Sequence, residues 1–356
     1  MNTSGKSGVF VAVSGGVDSS TSAALLCEQG YDCAGIFMIT HDAAQAAMAD
    51  AEKVCKTLHI ELHILDVRKE FEEILDYFTN EYRRARTPNP CVLCNRRMKF
   101  GRLWQYARRY GADSIATGHY ARIIRQDSFC GLFQSQDKKK DQSYVLSMIH
   151  RETLNHILFP MADMTKEQTR KTAARFGLHT TQKEDSQEIC FIPNNDYTGL
   201  LVRRCPQIAQ PGVVVDKTGK ILGRHDGIFH YTIGQRRGLR IALGQPAYVV
   251  GLDADTHTVI LGSKEDLLSD GLIAEQVNWL IDKPDKPFEA IVKIRYNHAG
   301  AAAVVYPKED DKVEIRFSRP VSAITPGQAA VMYIQTDRGL QIAGGGWIEK
   351  PKSQNN

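Results

Sequence analysis

The sequence predicts a doubly wound α/β fold with a parallel sheet in its first half, followed by β-rich, barrel-like domains. Three observations predict it. Apolar β-type runs alternate with helical stretches up to about residue 127, a glycine turn joins the first run to the first helix, and helical periodicity largely vanishes after Pro211. Residues 8–13 form the first buried-strand run, and residues 14–20, Ser-Gly-Gly-Val-Asp-Ser-Ser, form the turn. Residues 21–29 read as a helix ended by Gly30, 33–39 as a strand, 43–58 as a helix and 60–65 as a strand. Another helix precedes Pro88, and residues 114–117 read as a strand before Gly118 and His119. Residues 138–142 form a charged loop, and 165–176 an amphipathic helix stopped by Gly177. Residues 213–215 and 221–222 flank a hairpin turn, and residues 313–317 alternate with period two. The expected units are 1–150, a connecting region 151–210 that carries Cys190, a small β domain 211–275 and a β-barrel 276–356.

Composition narrows the class. A chain of 356 residues with 42% hydrophobic and 24% charged residues is ordinary globular protein, which excludes disordered, collagen-like and coiled-coil classes. No run of about 18 apolar residues is present to span a bilayer, and the N-terminal stretch lacks the pattern of a signal peptide, so a cytoplasmic location without membrane attachment is expected. Net charge is only +4, but residues 83–109 hold nine basic residues and no Asp or Glu. Such a run is usually a solvated face; the complete absence of acids favours a polyanionic partner.

Eight cysteines in a reduced compartment suggest buried thiols, metal ligands or reactive sulfur. Cys27 and Cys55 fall in apolar helical patterns, and Cys33, Cys130 and Cys205 have no chemical company, which leaves Cys91, Cys94 and Cys190. Cys91 and Cys94 form a C-x-x-C pair in a turn held extended by Pro88 and Pro90. A structural zinc site needs about four ligands and no second C-x-x-C exists, so zinc is disfavoured. Nearby arginines and a helix N-terminus are expected to favour thiolate. Cys190 reads as a cysteine in an apolar strand, a setting that more often means packing.

The glycine turn lies where a helix N-terminus offers unpaired N–H groups to an anion, and it lacks the lysine of a Walker A loop. It resembles the pyrophosphate loop of N-type ATP pyrophosphatases. That resemblance implies an adenine-nucleotide α/β domain in which Ala12, Val13, Ser14, Gly15, Gly16, Val17, Asp18 and Ser19 hold the phosphates of ATP. A carboxylate at Asp18 is repelled by phosphate unless a cation or backbone donors intervene, so Mg²⁺ is expected.

The strings S-G-G-V-D-S-S, T-P-N-P-x-x-x-C-N, A-T-G-H-Y, K-D-Q-S-Y, I-C-F-I, G-Q-R-x-G-L and T-P-G-Q-A-A-V run in order from residue 12 to 331. In this the chain resembles bacterial tRNA-specific 2-thiouridylases of the MnmA/TrmU type. The resemblance implies ATP-dependent 2-thiolation of the wobble uridine of Lys, Glu and Gln tRNAs, with tRNA and a sulfur-donor protein as partners. Carried over by motif, Cys190 bears a persulfide, Cys94 is the second catalytic thiol, and a disulfide between them is left for reductants. Met38 and Gly118 contact the nucleotide; Asn89, Pro90 and Cys91 border the target base; His119, Lys140, Asp141, Gln142, Arg295, Tyr296 and Gln328 contact tRNA.

Two departures stand out. The family commonly has Asp where Cys91 stands, which opens an alternative in which Cys91, Cys94 and Cys190 hold an iron–sulfur cluster. The segment after Met38 is also short and moves quickly into helix, which weakens the nucleotide contacts carried over there. Rival readings are an argininosuccinate synthase or amidotransferase-type ATP pyrophosphatase, which needs no paired cysteines, and a degenerate tRNA-binding module, which needs no intact loop.

Overall fold

The computed structural model describes residues 7–183, 189–192, 195–239, 241 and 245–352. Its first layer is a five-stranded parallel sheet of β1 (Gly8–Ala12), β2 (Asp32–Ile39), β3 (Leu62–Asp66), β4 (Ser114–Ala116) and β7 (Ile157–Leu158), ordered β3-β2-β1-β4-β7. The order reverses around β1, and ligands of such sheets bind beyond the carboxyl ends of the strands at that point. Helices α1 (Val17–Glu28), α2 (Gln45–Leu58) and α3 (Arg68–Arg83) alternate with these strands. Val9, Val11, Ala23, Ala24, Ala51 and Val54 form one core beneath the turn. Helix α1 begins at Val17 and not at residue 21, so the glycine turn runs straight into its N-terminus. The expected α/β class is observed.

A long helix follows Pro88 and changes character along its length: α4 (Pro90–Cys94), a π-helical segment Asn95–Leu103, and α5 (Trp104–Arg109). π-Bulges of this kind concentrate at functional sites. Helix α6 (Lys166–Arg175) starts with a capping box between Thr165 and Gln168 and is ended by Gly177 at φ +66°. Helix α7 (Tyr197–Arg204) completes the connecting region.

The β portion consists of a four-stranded sheet and a barrel. Strands β8 (Gly212–Asp216), β9 (Ile221–His225), β10 (Tyr248–Asp253) and β11 (Thr258–Gly262) are ordered β10-β11-β8-β9, and β8–β9 is the expected hairpin. The barrel uses β12 (Leu268–Trp279), β13 (Phe288–Lys293), β14 (Ala301–Pro307), β15 (Val313–Ser322), β16 (Ala329–Thr336) and β17 (Gly339–Lys352). Pairing of β12 with both β15 and β17 closes it. Gly344, Gly345 and Gly346 allow that closure, since a Cβ at Gly344 would come within 2.6 Å of the Asn278 carbonyl. The hairpin of β5 (Ala121–Gln126) and β6 (Phe129–Gln134) lies in sequence within residues 1–150, yet β6 pairs with β17 and extends the barrel sheet. One apolar cluster consequently runs from Phe10 and Ile115 through Leu132 to Val331 and Ile342.

Glu314 on β15 is buried and bonds Lys352 at 2.7 Å and Arg316 at 2.6 Å, with Lys308 at 3.4 Å. These cations, Lys352 first, hold its carboxyl down to about 2. A depressed folded pKa stabilises above the unfolded value and loses that contribution as pH falls from about 4.5 toward 2. Glu314→Gln should therefore cost about 2 kcal/mol at pH 7 and little at pH 2.5; denaturant titrations at the two pH values check the difference.

Candidate functional site: a phosphate loop and three convergent cysteines

The loop is built for an anion. Val13 N–H bonds the Ile36 carbonyl at 3.0 Å, and Ser14 N–H bonds Ser19 Oγ at 3.1 Å. Gly15 adopts φ +73°, and a Cβ there would meet the Ala47 carbonyl at 2.5 Å. No side chain caps the α1 N-terminus at Gly16, which leaves the first helical N–H groups without a capping partner. Gly118 packs against the same point: a Cβ would sit 2.7 Å from Asp18 C and Ser19 N. The conformation and the uncapped amides fit a nucleotide phosphate.

Asp18 has a partner that sequence reading did not supply. Lys166 Nζ bonds both its oxygens, at 2.6 and 2.8 Å, and Tyr120 Oη donates to it at 2.9 Å. The repulsion that called for Mg²⁺ is met here by a lysine, so Asp18 itself is not a free carboxylate for a divalent ion. Lys166 is the first residue of α6, where a cation opposes the helix dipole; that misplacement was the available signal. A second lysine, Lys183, donates to the Gly15 carbonyl at 2.9 Å and pairs with Asp50 at 2.8 Å.

Helix α3 assembles the sulfur site. Phe71, Ile74 and Phe78 repeat along one buried face, and Phe191 inserts edge-on against Phe71 and Phe78 with ring centroids 5.4 and 5.7 Å away. Ile189, Phe191 and Ile192 share this cluster with Cys94, Leu93 and Met38. Cys190 is thereby brought beside the cysteine helix across 96 residues of sequence. It lies in a turn, not in the expected strand, because the short segment is held by side-chain docking and not by a ladder. Residues 184–188, 193 and 194 on either side of it fall outside the described residues.

All three cysteines are free thiols; Cys91 and Cys190 are exposed and Cys94 is half-buried. The expected preference for thiolate is reversed. Burial pushes all three upward, Cys94 to about 12, and outweighs the lowering by Lys99. Cys91 and Cys190 are open to solvent on one side, yet enough protein packs around their sulfurs for burial to dominate. The arginines of the basic run do not provide the cation that acts on them. Iodoacetamide labelling of Cys94 should accordingly rise about tenfold per pH unit from 7 to 9, without a plateau; a plateau below pH 9 would contradict the raised pKa.

Among the described residues no three Cys, His, Asp or Glu side chains converge to hold a metal ion.

The remaining residues divide into two sets. Asn89 is the N-cap of α4, Pro90 its buried first residue, and Tyr296 lies 39% exposed with its ring 6.1 Å from that of Tyr144. Tyr296 is also close enough to Cys91 for the two acidities to interact, so this set surrounds the cysteine turn. The other set is internally engaged. His119 is buried, with Nδ1 2.7 Å from Thr117 Oγ1 and Nε2 3.3 Å from Lys99 Nζ; burial and Lys99 push its pKa well down, so it is neutral. Asp141 is buried and accepts from Ser135 N–H and the Ser143 hydroxyl, and Gln142 Oε1 accepts from Tyr120 N–H at 3.0 Å. The Lys140 N–H bonds the Asp137 carbonyl, closing the loop. Arg295 is exposed and reaches the Ala323 carbonyl at 3.4 Å. Gln328 bonds the Thr87 and Pro88 carbonyls. Sequence reading missed Lys99, Lys166 and Lys183, and missed the aromatic docking of Phe191.

Domain models match in three consecutive stretches: a tRNA methyl transferase HUP domain over residues 7–194, a tRNA methyl transferase PRC-barrel domain over 201–263, and an aminomethyltransferase β-barrel domain over 269–348. The chain is 45% identical over 348 residues to a tRNA-specific 2-thiouridylase MnmA of Syntrophotalea carbinolica, covering 96% of this chain and 98% of that one. It is 45% identical over 367 residues to the protein of the same name in Carboxydothermus hydrogenoformans, covering 98% and 100%. Among solved structures, the U34-tRNA thiolase NcsA from Methanococcus maripaludis with its [4Fe-4S] cluster overlaps 52% of this chain and 62% of its own. At 17% identity and a TM-score of 0.34 that likeness carries no argument. No described helix is long and apolar enough to cross a membrane.

Proposed function

This chain belongs to the tRNA-specific 2-thiouridylase family, and from that premise we propose that it activates the wobble uridine of tRNA with ATP and delivers sulfur through Cys190 and Cys94. The domain models carry a methyltransferase description, but full-length likeness at 45% identity spans all three stretches and takes precedence. The enzyme is a tRNA-uridine 2-sulfurtransferase.

The observation that carries the mechanism is the docking of Phe191 between Phe71 and Phe78, which sets Cys190 beside Cys94. Uracil O2 attacks the α-phosphate of ATP held over the uncapped α1 N-terminus, and pyrophosphate leaves. The O2–C2 bond then ends in AMP, a good leaving group where oxide is a poor one. The terminal sulfur of a Cys190 persulfide attacks C2, AMP departs with O2, and a Cys190–S–S–C2 linkage remains. Cys94 thiolate attacks Cys190 Sγ; the linkage breaks, the sulfur stays on C2, and a Cys94–Cys190 disulfide forms for an external dithiol to reduce. Cys94 starts as a thiol, so its proton must be removed at this step, and Lys99 is the cation placed to favour the resulting anion.

Exposure of Cys190 suits loading by a sulfur-donor protein; of the tRNA contacts the family likeness implies, this reading keeps Asn89, Pro90, Cys91 and Tyr296 around the turn, with the exposed Arg295 apart from it. Met38 packs against both the apolar cluster that runs from Phe10 into the barrel and the Cys94 cluster, and in this reading it lies between the two half-reactions. Mg²⁺ enters in this reading with the nucleotide and not on Asp18. We place the reaction in the cytoplasm, where tRNA is charged. The purified protein should form AMP and pyrophosphate only with tRNA and produce 2-thiouridine by nucleoside mass spectrometry when given persulfide sulfur. AMP formation with an amino donor and no tRNA would favour a synthetase instead.

A further inference from the structure

The strap entering the cysteine turn, residues 86–88, is held by the barrel and not by its own domain alone. Thr87 N–H bonds the Pro326 carbonyl at 2.9 Å, and Gln328 Nε2 donates to the Thr87 carbonyl at 2.9 Å and the Pro88 carbonyl at 3.2 Å. Gly327, at φ +90°, lies so close that a Cβ would meet the Thr87 carbonyl at 2.9 Å and Glu81 Oε2 at 3.0 Å. Arg86 pairs with Glu81 at 2.8 Å and donates to the Ile348 carbonyl on β17 at 3.2 Å. Two barrel segments, the 326–328 corner and β17, thus fix the peptide that ends one residue before Asn89 and three before Cys91.

The chemistry of the amide sharpens this. Both Gln328 partners are carbonyl oxygens, so the nitrogen must face them, and its two hydrogens are both used. It has no donor left for a phosphate. We propose that Gln328, with Gly327, is a positioning residue for the catalytic turn: the barrel corner clasps the Thr87–Pro88 peptide and holds Cys91 and Cys94 in register with the target base. This rests on the thiolation reading for its substrate but not for its geometry. Misplacing a reacting group by about 1 Å costs on the order of a hundredfold in rate, so losing two hydrogen bonds at the base of the turn is expected to act on turnover and not on tRNA affinity.

Gln328→Met keeps the length and removes both donors without adding charge. Gly327→Ala pushes on the same peptide without touching the amide and serves as an independent variant. In both, single-turnover 2-thiouridine formation at saturating tRNA should fall at least tenfold, with the tRNA Kd in filter binding changed less than twofold. A tenfold weaker Kd in Gln328→Met, whatever its rate, would overturn the proposal, as would a saturated rate equal to the parent's. Amide hydrogen exchange over residues 87–94 in the full chain, without substrates, separates the clasp from the activity: acceleration of about tenfold in Gln328→Met supports it, and unchanged exchange overturns it even if the parent protein proves not to thiolate tRNA.

Discussion

Cys190→Ser is expected to abolish 2-thiouridine formation, lowering it at least a thousandfold, while tRNA-dependent release of AMP and pyrophosphate continues. The split follows from the geometry. The phosphate loop, Gly118 and the α1 N-terminus make no use of residue 190, whereas sulfur delivery has no other exposed thiol available in the Phe191-docked segment. A hydroxyl cannot carry a sulfane sulfur, so the covalent step is removed and not merely slowed. Cys94→Ser should behave differently: sulfur reaches C2 but stays tied to Cys190, and a covalent enzyme–tRNA adduct accumulates that dithiothreitol releases. Denaturing gels with labelled tRNA read the adduct, and nucleoside mass spectrometry reads the product. Unchanged 2-thiouridine in either variant would remove that cysteine from the mechanism.

Lys166→Met should lower tRNA-dependent AMP formation by about a hundredfold or more. The substitution deletes a cation and leaves Asp18, whose oxygens were bonded at 2.6 and 2.8 Å, as an uncompensated anion beside the phosphate site. Breaking one member of a well-buried pair costs about 3–5 kcal/mol. Asp18 is 33% exposed on its side chain, so solvent screening brings the effect toward the lower end. The sign can be tested: Asp18→Asn in the Lys166→Met background should recover part of the loss, because the stranded charge is gone. A double variant no better than Lys166→Met alone would show that the lysine acts on the nucleotide and not through Asp18.

Much of this was legible in order along the chain. The alternation of apolar runs and helices gave the parallel sheet, and the glycine turn fell at the strand–helix junction where the structure has it. Periodicity works for these elements because each buries one face against a neighbour close in sequence. Sequence alone does not place the β5–β6 hairpin in the barrel, since its alternation says that a partner strand exists but not that β17, about 210 residues away, supplies it. The thiol acidity departs from the sequence expectation for a related reason: a count of arginines says nothing of which cation faces a sulfur or how much protein surrounds it.

The sequence by itself determined the α/β class with its β-rich tail, the glycine turn at the first strand–helix junction and the family, and it singled out Cys91, Cys94 and Cys190. Tertiary structure alone decided which lysine neutralises Asp18, that Phe191 seats Cys190 against α3, and that Gln328 holds the Thr87–Pro88 peptide. Local pattern reports the backbone's own hydrogen bonding and the side of an element that is buried. Contacts between groups 96, 148 or 240 residues apart are chosen only when whole elements pack, and the site's charge balance is made of those contacts.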